Sequence, residues 1–379
     1  MCAFYSSSGG WGIVAGLVNS HHSTVRLKIN LRHLCANFQT IVATAKPSTV
    51  AAVVKANAYG LGLLPVARAL AAAGCRDFFV ASMSEALLLR EHVAEAAIFV
   101  LEGAGDDPEE ALAHRLTPVL NSVDEWRVWR DRAPTLPWCV QVDTGIGRAG
   151  IDEAQWFAQP SFVQQIAQHP HVWLLSQWAC ADDPAHPMND AQWHSFQRFH
   201  QSVPNARTSL ANSAGLNLAP ARWGSMVRPG LALYGGQPSA VAQDWIRPVV
   251  SVEARVLQVK TFARAHPIGY GATDRVAAGT TVATLGLGYA DGFPRERIER
   301  GHVLFNGHRY PLVGRVSMDL MTVVINRDDQ PVPEVGQWMT VLGESNGESI
   351  SLEQIAAWSN RSSHSILTGW SALVERVYD

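Results

Sequence analysis

Cysteine is sparse in this sequence, and what there is does not pair. Cys2, Cys35, Cys75, Cys139 and Cys180 are far apart and odd in number, with no Cys-x-x-Cys and no His/Cys cluster. That pattern argues against a disulfide scaffold and against a bound metal, and it suits a reducing compartment. Charge is thin as well. Charged residues make up 17%, and 30 Lys+Arg set against 33 Asp+Glu leave a formal net charge of −3 with no long basic run. Nothing here gives an electrostatic reason to expect nucleic acid or an acidic membrane surface as partner. Long apolar runs are missing too. The stretch at residues 11–18 is far too short to span a bilayer and lacks the basic region that precedes a secretory core. Residues 1–23 therefore read as an N-terminal extension, and the protein as cytoplasmic. No internal repeat or low-complexity tract stands out.

What is present is an ordinary globular balance, 47% hydrophobic over 379 residues, enough for one large domain and a smaller one. Between about residues 50 and 236, short apolar runs alternate with helix-like segments. The runs lie at 51–56, 77–82, 97–102, 117–122, 137–143, 172–177, 207–213 and 227–235, each of strand length and apolar enough to be buried on both faces. Leu63, Leu64, Val66, Ala67, Leu70 and Ala71 follow three-four spacing, and Gly74 is placed to stop that helix. Eight strands with crossovers is the count of a (β/α)8 barrel. A doubly wound open sheet competes, but no Gly-x-Gly-x-x-Gly follows the first run. Beyond about residue 248 the pattern becomes Val/Thr-rich segments at 249–262, 281–289, 302–325 and 337–342, broken by Gly, Pro, Asn and Asp. That reads as an antiparallel β domain, with one late helix near 351–358 that Ser351 could cap. The division is then 1–23 extension, 24–240 barrel and 241–379 β domain.

The first run ends in Val53-Val54-Lys55-Ala56-Asn57-Ala58-Tyr59-Gly60. A lysine deep in an apolar run is costly when charged, so its amine should be desolvated and its pKa lowered, as attack on an aldehyde requires. The plain alternative is a lysine snorkelling from a strand end. After the last two barrel runs come Asn212-Ser213 and Arg228-Pro229-Gly230-Leu231. Barrels commonly hold a phosphate there, and small hydroxyl and amide groups beside a glycine would suit one, although singly these are turn residues. Asp143-Thr144-Gly145-Ile146-Gly147-Arg148 makes a tight turn presenting an arginine that could clamp a carboxylate. In the second domain Tyr289 ends an apolar strand, and Arg315 and Met318 lie in another segment; neither segment alone proves catalysis.

Taken together, VVKANAYG, DTGIGRAG, ANSAG, RPGLALYG, GYADGFPR and VGRVSMD resemble the motif set of alanine racemases, in that family's order, over residues about 25–325. The resemblance implies pyridoxal 5′-phosphate as cofactor, a small amino acid as substrate, and a head-to-tail homodimer with shared active sites. It matches Lys55 to the Schiff-base lysine and one racemising base, and Tyr289 to the second base, contributed by the other subunit. Tyr59, Ser213, Gly230 and Leu231 fall where the family holds the phosphate, with Asn212 beside them. Arg228 matches the arginine facing the pyridine nitrogen, Arg148 the one near the cofactor hydroxyl and substrate carboxylate. The Met318 backbone would help bind that carboxylate, and Asp182 and Arg315 match entry-channel positions. The reaction implied is interconversion of L- and D-alanine, supplying D-alanine for the bacterial cell wall.

The pattern breaks at several positions. Leu61 stands where His is usual, Gln141 where many members carry a lysine, and Gln177 where His is expected. His364-Ser365 replaces Tyr-Glu, and Leu373 an arginine, which leaves the phosphate-side tyrosine near the C-terminus unassigned. Gln177 can still bond Arg228 and contact the cofactor, whereas Gln141 leaves Arg148 without an anionic partner. A racemase of broader amino-acid range, or a weakly catalytic cofactor-binding relative, are the competing readings. A barrel-type decarboxylase fits less well, because the glycine-triplet phosphate loop associated with that group is absent.

Overall fold

The computed structural model describes residues 23–105, 108–240, 243–295, 301–325 and 330–379. The expected extension therefore falls almost wholly outside the described residues. Eight strand positions run parallel around a barrel. Seven form one sheet in chain order: Ala52–Val53, Asp77–Val80, Ala97–Val100, Thr117–Leu120, Trp138–Gln141, Val172–Leu175 and Arg207–Ser209. The eighth, Met226–Val227, pairs in parallel with Thr49–Val50, which leads into the first strand. The Arg228 N–H donates to Ala211 O at 2.7 Å, closing the ring against the seventh. The strands are apolar on both faces because their interior side chains fill the barrel while the outer ones meet helices. In Asp77–Val80, for example, Phe78, Phe79 and Val80 are all fully buried.

The helices between strands follow from local chemistry. Leu63–Ala72 buries Leu63, Val66, Ala67 and Leu70, and stops before Gly74, whose φ of +102° suits glycine. Met83–Arg90 and Val123–Arg132 begin behind Ser82 and Ser122, each hydroxyl accepting from the backbone N–H three residues on. The eighth apolar run is not a strand over its expected length. It is extended only at Met226–Val227, and Leu231–Tyr234 turns into a 3₁₀ helix after Gly230.

The second sheet is mostly antiparallel, built on the long strand Val250–Thr261, which pairs with Thr281–Leu285 and Trp338–Ser345. The expected segment at 302–325 is a hairpin, His302–Phe305 with His308–Pro311, followed by the separate strand Met321–Ile325. Leu352–Ser359 is helical, and Ser351 caps it in a reciprocal arrangement with Gln354.

One strand departs from the division read from sequence. Val25–Ile29 lies within the span assigned to the barrel, yet it pairs antiparallel with Val250–Thr261 and parallel with the C-terminal strand Glu375–Tyr378. Its alternation explains this: Val25, Leu27 and Ile29 are buried while Arg26 and Lys28 are half-exposed, as on a sheet covered on one face. Both ends of the described chain are thereby stitched into one sheet. Among the described residues no helix is long and apolar enough to cross a membrane.

Leu27 is fully buried at the centre of this junction. Leu27→Ala should cost about 2–5 kcal/mol, the range for a large-to-small change that leaves a cavity. Denaturant unfolding followed by circular dichroism would measure it, and a loss below 1 kcal/mol would show that the N-terminal strand is not integral to the fold.

Candidate active site

At the C-terminal end of the barrel strands a cavity of about 380 Å³ opens. Lys55 enters it directly after the first strand. The backbone that follows is unusual: Ala56, Asn57, Ala58 and Tyr59 all have φ between +52° and +56°, one turn of left-handed helix without a glycine. Each such residue costs roughly 1–2 kcal/mol, so neighbouring groups must impose the conformation. Gly60 N–H donates to Ala56 O and Gly62 N–H to Asn57 O, both close to 2.9 Å. The Asn57 side-chain oxygen accepts from Leu63 N–H at 2.7 Å, and Glu85 accepts from Asn57 N–H at 2.9 Å. From the C-terminal strand, Arg376 donates to Gly60 O at 2.8 Å and the Tyr378 hydroxyl to Leu61 O at 2.9 Å.

The loops after the seventh and eighth strands supply a cradle. Asn212, Ser213, Gly230 and Leu231 all line the cavity. The Ser213 hydroxyl oxygen accepts from Gly230 N–H at 2.9 Å and Ala232 N–H at 3.1 Å, which leaves its own proton to donate. Tyr59 closes the cradle from the left-handed turn, its ring stacked 4.6 Å from that of Tyr234. Burial pushes the Tyr59 phenol up to about 12, so its hydroxyl remains a donor. Glycine is required at 230 because a Cβ there would lie 2.1 Å from the Tyr59 oxygen.

Arg228 is the most deeply committed cation. It donates to the Ser209 hydroxyl, to Ser176 O at 2.6 Å and to the Gln177 side-chain oxygen at 3.0 Å. Burial, with Arg148 adding repulsion, lowers its pKa to about 10, which still leaves it charged at neutral pH. Arg148 lines the opposite wall. The Asp143 carboxylate shapes its loop by accepting from Gly145 and Gly147 N–H. Gln141 also faces the cavity, but its amide donates to Ala149 O at 3.0 Å. Leu61, the departure from His, is wholly buried in the apolar core. Lys55 itself is held below the usual lysine range, first by burial and then by Arg148 and Arg228, with Glu85 and Glu102 opposing.

The structure thus brings together Lys55, Tyr59, Arg148, Gln177, Asn212, Ser213, Arg228, Gly230 and Leu231 around one cavity. It does not bring Tyr289, Met318, Asp182 or Arg315 to that cavity within the chain. Tyr289 and Met318 lie in the β domain, 36% and 54% exposed, with Arg295 over the Tyr289 ring at 5.3 Å. The two are locked to each other: Tyr289 N–H donates to Ser317 O, Ala290 N–H to Met318 O, and a Cβ on Gly288 would lie 2.1 Å from Met318 O. Asp182 and Arg315 are exposed. Among the described residues no cluster of His, Cys, Asp or Glu could hold a metal ion.

Some lining residues carried no sequence signal of their own. Phe79 and Leu101 belong to strand ends, and Thr368 to a C-terminal helix. His364 was visible only as a departure. It lines the cavity with its ring 5.9 Å from that of Tyr59, and burial and Lys55 both depress its pKa, favouring neutral imidazole.

Two arginines around a donor-rich cradle, with a desolvated lysine at its edge, form a site for a small anionic aldehyde. Comparison with known proteins agrees. The chain matches the family model for the alanine racemase N-terminal domain over residues 29–238 and that for the C-terminal domain over 249–378. It is 38% identical over 362 residues to a protein named "Alanine racemase, catabolic" from Rhizobium johnstonii, covering 94% of this chain and 95% of that one. It is 37% identical to an alanine racemase from Rhodospirillum rubrum, with 94% and 96% covered. Among solved structures, alanine racemase from Bartonella henselae with covalently bound pyridoxal phosphate superposes with a TM-score of 0.88 at 34% identity, covering 94% of this chain and all of that one. Site geometry, both domain matches and near full-length identity agree: the chain belongs to the alanine racemase family.

Proposed function

We propose that this chain is a pyridoxal-phosphate-dependent racemase that interconverts L- and D-alanine, supplying D-alanine for the cell wall. The observation that carries the reading is Lys55, an amine kept largely desolvated at the rim of a phosphate-sized cradle. A neutral amine at that position can hold an aldehyde cofactor covalently.

The residues present fit the cofactor. Tyr59 and Ser213 offer hydroxyl donors, and Gly230 and Leu231 a close backbone approach, to its phosphate; Asn212 buttresses that loop by accepting from Gly215 N–H at 2.8 Å. Arg228, which cannot readily give up its proton and donates to the Gln177 side-chain oxygen, would hold the ring nitrogen of the cofactor. Pyridoxal 5′-phosphate supplies, when bound, an electron sink for the pair left as the substrate Cα loses its proton. Arg148 clamps the substrate carboxylate, helped by the Met318 backbone. Lys55 Nζ takes or returns the proton on one face of Cα, and the Tyr289 phenol does so on the other.

Tyr289 lies exposed in the β domain, outside the cavity of its own chain, so the second base comes from another copy in a head-to-tail homodimer. Asp182 and Arg315 then border the entrance between the two. The net charge of −3 and scattered cysteines support a cytoplasmic setting. A wider substrate range is the second reading, favoured by His364, whose imidazole gives the cavity wall a polar group that could accommodate side chains beyond methyl.

The deciding experiment follows L-alanine and a panel of other L-amino acids in D2O with cofactor-loaded protein. Deuterated D-alanine forming fastest supports the first reading, another amino acid the second, and no exchange despite bound cofactor would defeat both. Lys55→Ala should abolish covalent cofactor retention, scored by intact mass after borohydride reduction. Tyr289→Phe should keep the cofactor and lose about 10²–10⁴-fold in kcat, the usual contribution of a positioned acid/base group; unchanged turnover in both directions would remove Tyr289 from the mechanism. Gly230→Ala should cost about 1–3 kcal/mol from overpacking against Tyr59 and weaken cofactor affinity in equilibrium dialysis.

A further inference from the structure

Glu85 does not line the cavity, yet it touches the segment that aims Lys55. Ser82 caps the helix Met83–Arg90 and Glu85 occupies its third position, where a capping-box glutamate would reach back to the Ser82 N–H. Here the carboxylate reaches past it. One oxygen accepts from Ala81 N–H at 2.9 Å, at the end of the second strand, and the other from Asn57 N–H at 2.9 Å, inside the left-handed turn. Only a carboxylate offers both oxygens as acceptors in this geometry; an amide would set its NH2 against one of the two N–H donors.

We propose that Glu85 is a positioning residue for Lys55: it clamps the strained turn 56–59 to the second strand and places a negative charge opposite the lysine amine. This rests on the reading of Lys55 as the cofactor-bearing residue. The clamp accounts for a backbone that four non-glycine residues would not adopt unaided. The charge matters because the amine is otherwise surrounded by repulsion. Arg148 and Arg228 oppose its charge and Glu85 and Glu102 favour it, while the His364 imidazole on the C-terminal helix is itself held toward its neutral form. Burial and the two arginines drive the amine toward its neutral form, and the two carboxylates oppose them. Glu85 thereby keeps the lysine able to carry a proton as well as to lose one, which a base working in both directions needs.

The test uses cofactor-free full-length protein and pyridoxal 5′-phosphate, recording the rate of covalent capture from pH 6 to 10, below the ordinary lysine pKa of about 10.4. Borohydride-trapped mass and peptide mapping locate the product at Lys55. In Glu85→Gln the midpoint of the rate profile should move to lower pH, so capture below the wild-type midpoint becomes faster, while the melting temperature falls. A merely structural role would slow capture at every pH and leave the midpoint in place, and that result would overturn the proposal. If Glu85→Gln does not fold, the same variant carrying Ala56→Gly, which relieves one left-handed position, should restore folding and still show the shifted midpoint. Wild-type capture at a residue other than Lys55 would sink the cofactor assignment and this inference with it. Capture at Lys55 with an unmoved midpoint in the variant would sink this inference alone.

Discussion

The constraint on which the site depends is the crowding of three cationic side chains, Lys55, Arg148 and Arg228, at the mouth of one barrel. Like charges repel, and the chain holds each of the three differently. Arg228 is anchored by three acceptors and keeps its charge despite burial. Arg148 stays near solvent on a loop shaped by Asp143. Lys55 is held below the usual lysine range, by burial first and by the two arginines after it, which favours its neutral amine. An anionic, aldehyde-bearing ligand relieves the repulsion and exploits the neutral amine at once. The same electrostatics therefore favour an anionic ligand at this site.

Much of this was legible in the sequence because it rests on local pattern. Eight apolar runs at strand length mark the barrel strands, and Ser351 marks a helix start. The nine residues expected around the cofactor do share one cavity. What was not legible depends on long-range pairing or on propensity overridden by context. Val25–Ile29 precedes the barrel in sequence but pairs with strands more than two hundred residues away. Nothing in Ala-Asn-Ala-Tyr announces a left-handed turn, since alanine favours the right-handed helix. The turn is held from two separate elements: Glu85 on a barrel helix accepts from the Asn57 backbone amide, and Arg376 and Tyr378 on the C-terminal strand donate to the carbonyls of Gly60 and Leu61 that follow it. Glu85 sits in a Ser-x-x-Glu pattern, which by itself marks only an ordinary helix cap and so was not singled out in the sequence.

The C-terminal strand links the two sheets to the chemistry. Glu375–Tyr378 pairs with the N-terminal strand in the β domain, while Arg376 and Tyr378 from the same strand hold the exit of the lysine turn. Gly62 makes room for this approach, since a Cβ there would lie 2.1 Å from the Tyr378 oxygen. A rigid sheet is thus used as the frame against which a strained loop is set. That is a firmer support than the loop could find among neighbouring loops, whose own backbones move.

The placement of Tyr289 then follows from what the β domain is for. Its exposed edge presents Tyr289 and Met318 together, held in register by the contact between Gly288 and Met318 O that admits no side chain. If Tyr289 is the second base and the Met318 backbone binds the carboxylate, as proposed, then, lying outside the cavity of their own chain, they would serve the reaction in the cavity of a second chain. Two-faced proton transfer demands bases on opposite sides of Cα, and one barrel mouth can rigidly supply only the inner side. In the proposed dimer, association would supply the outer one and, by covering the cavity, would exclude water that otherwise screens the arginine clamp.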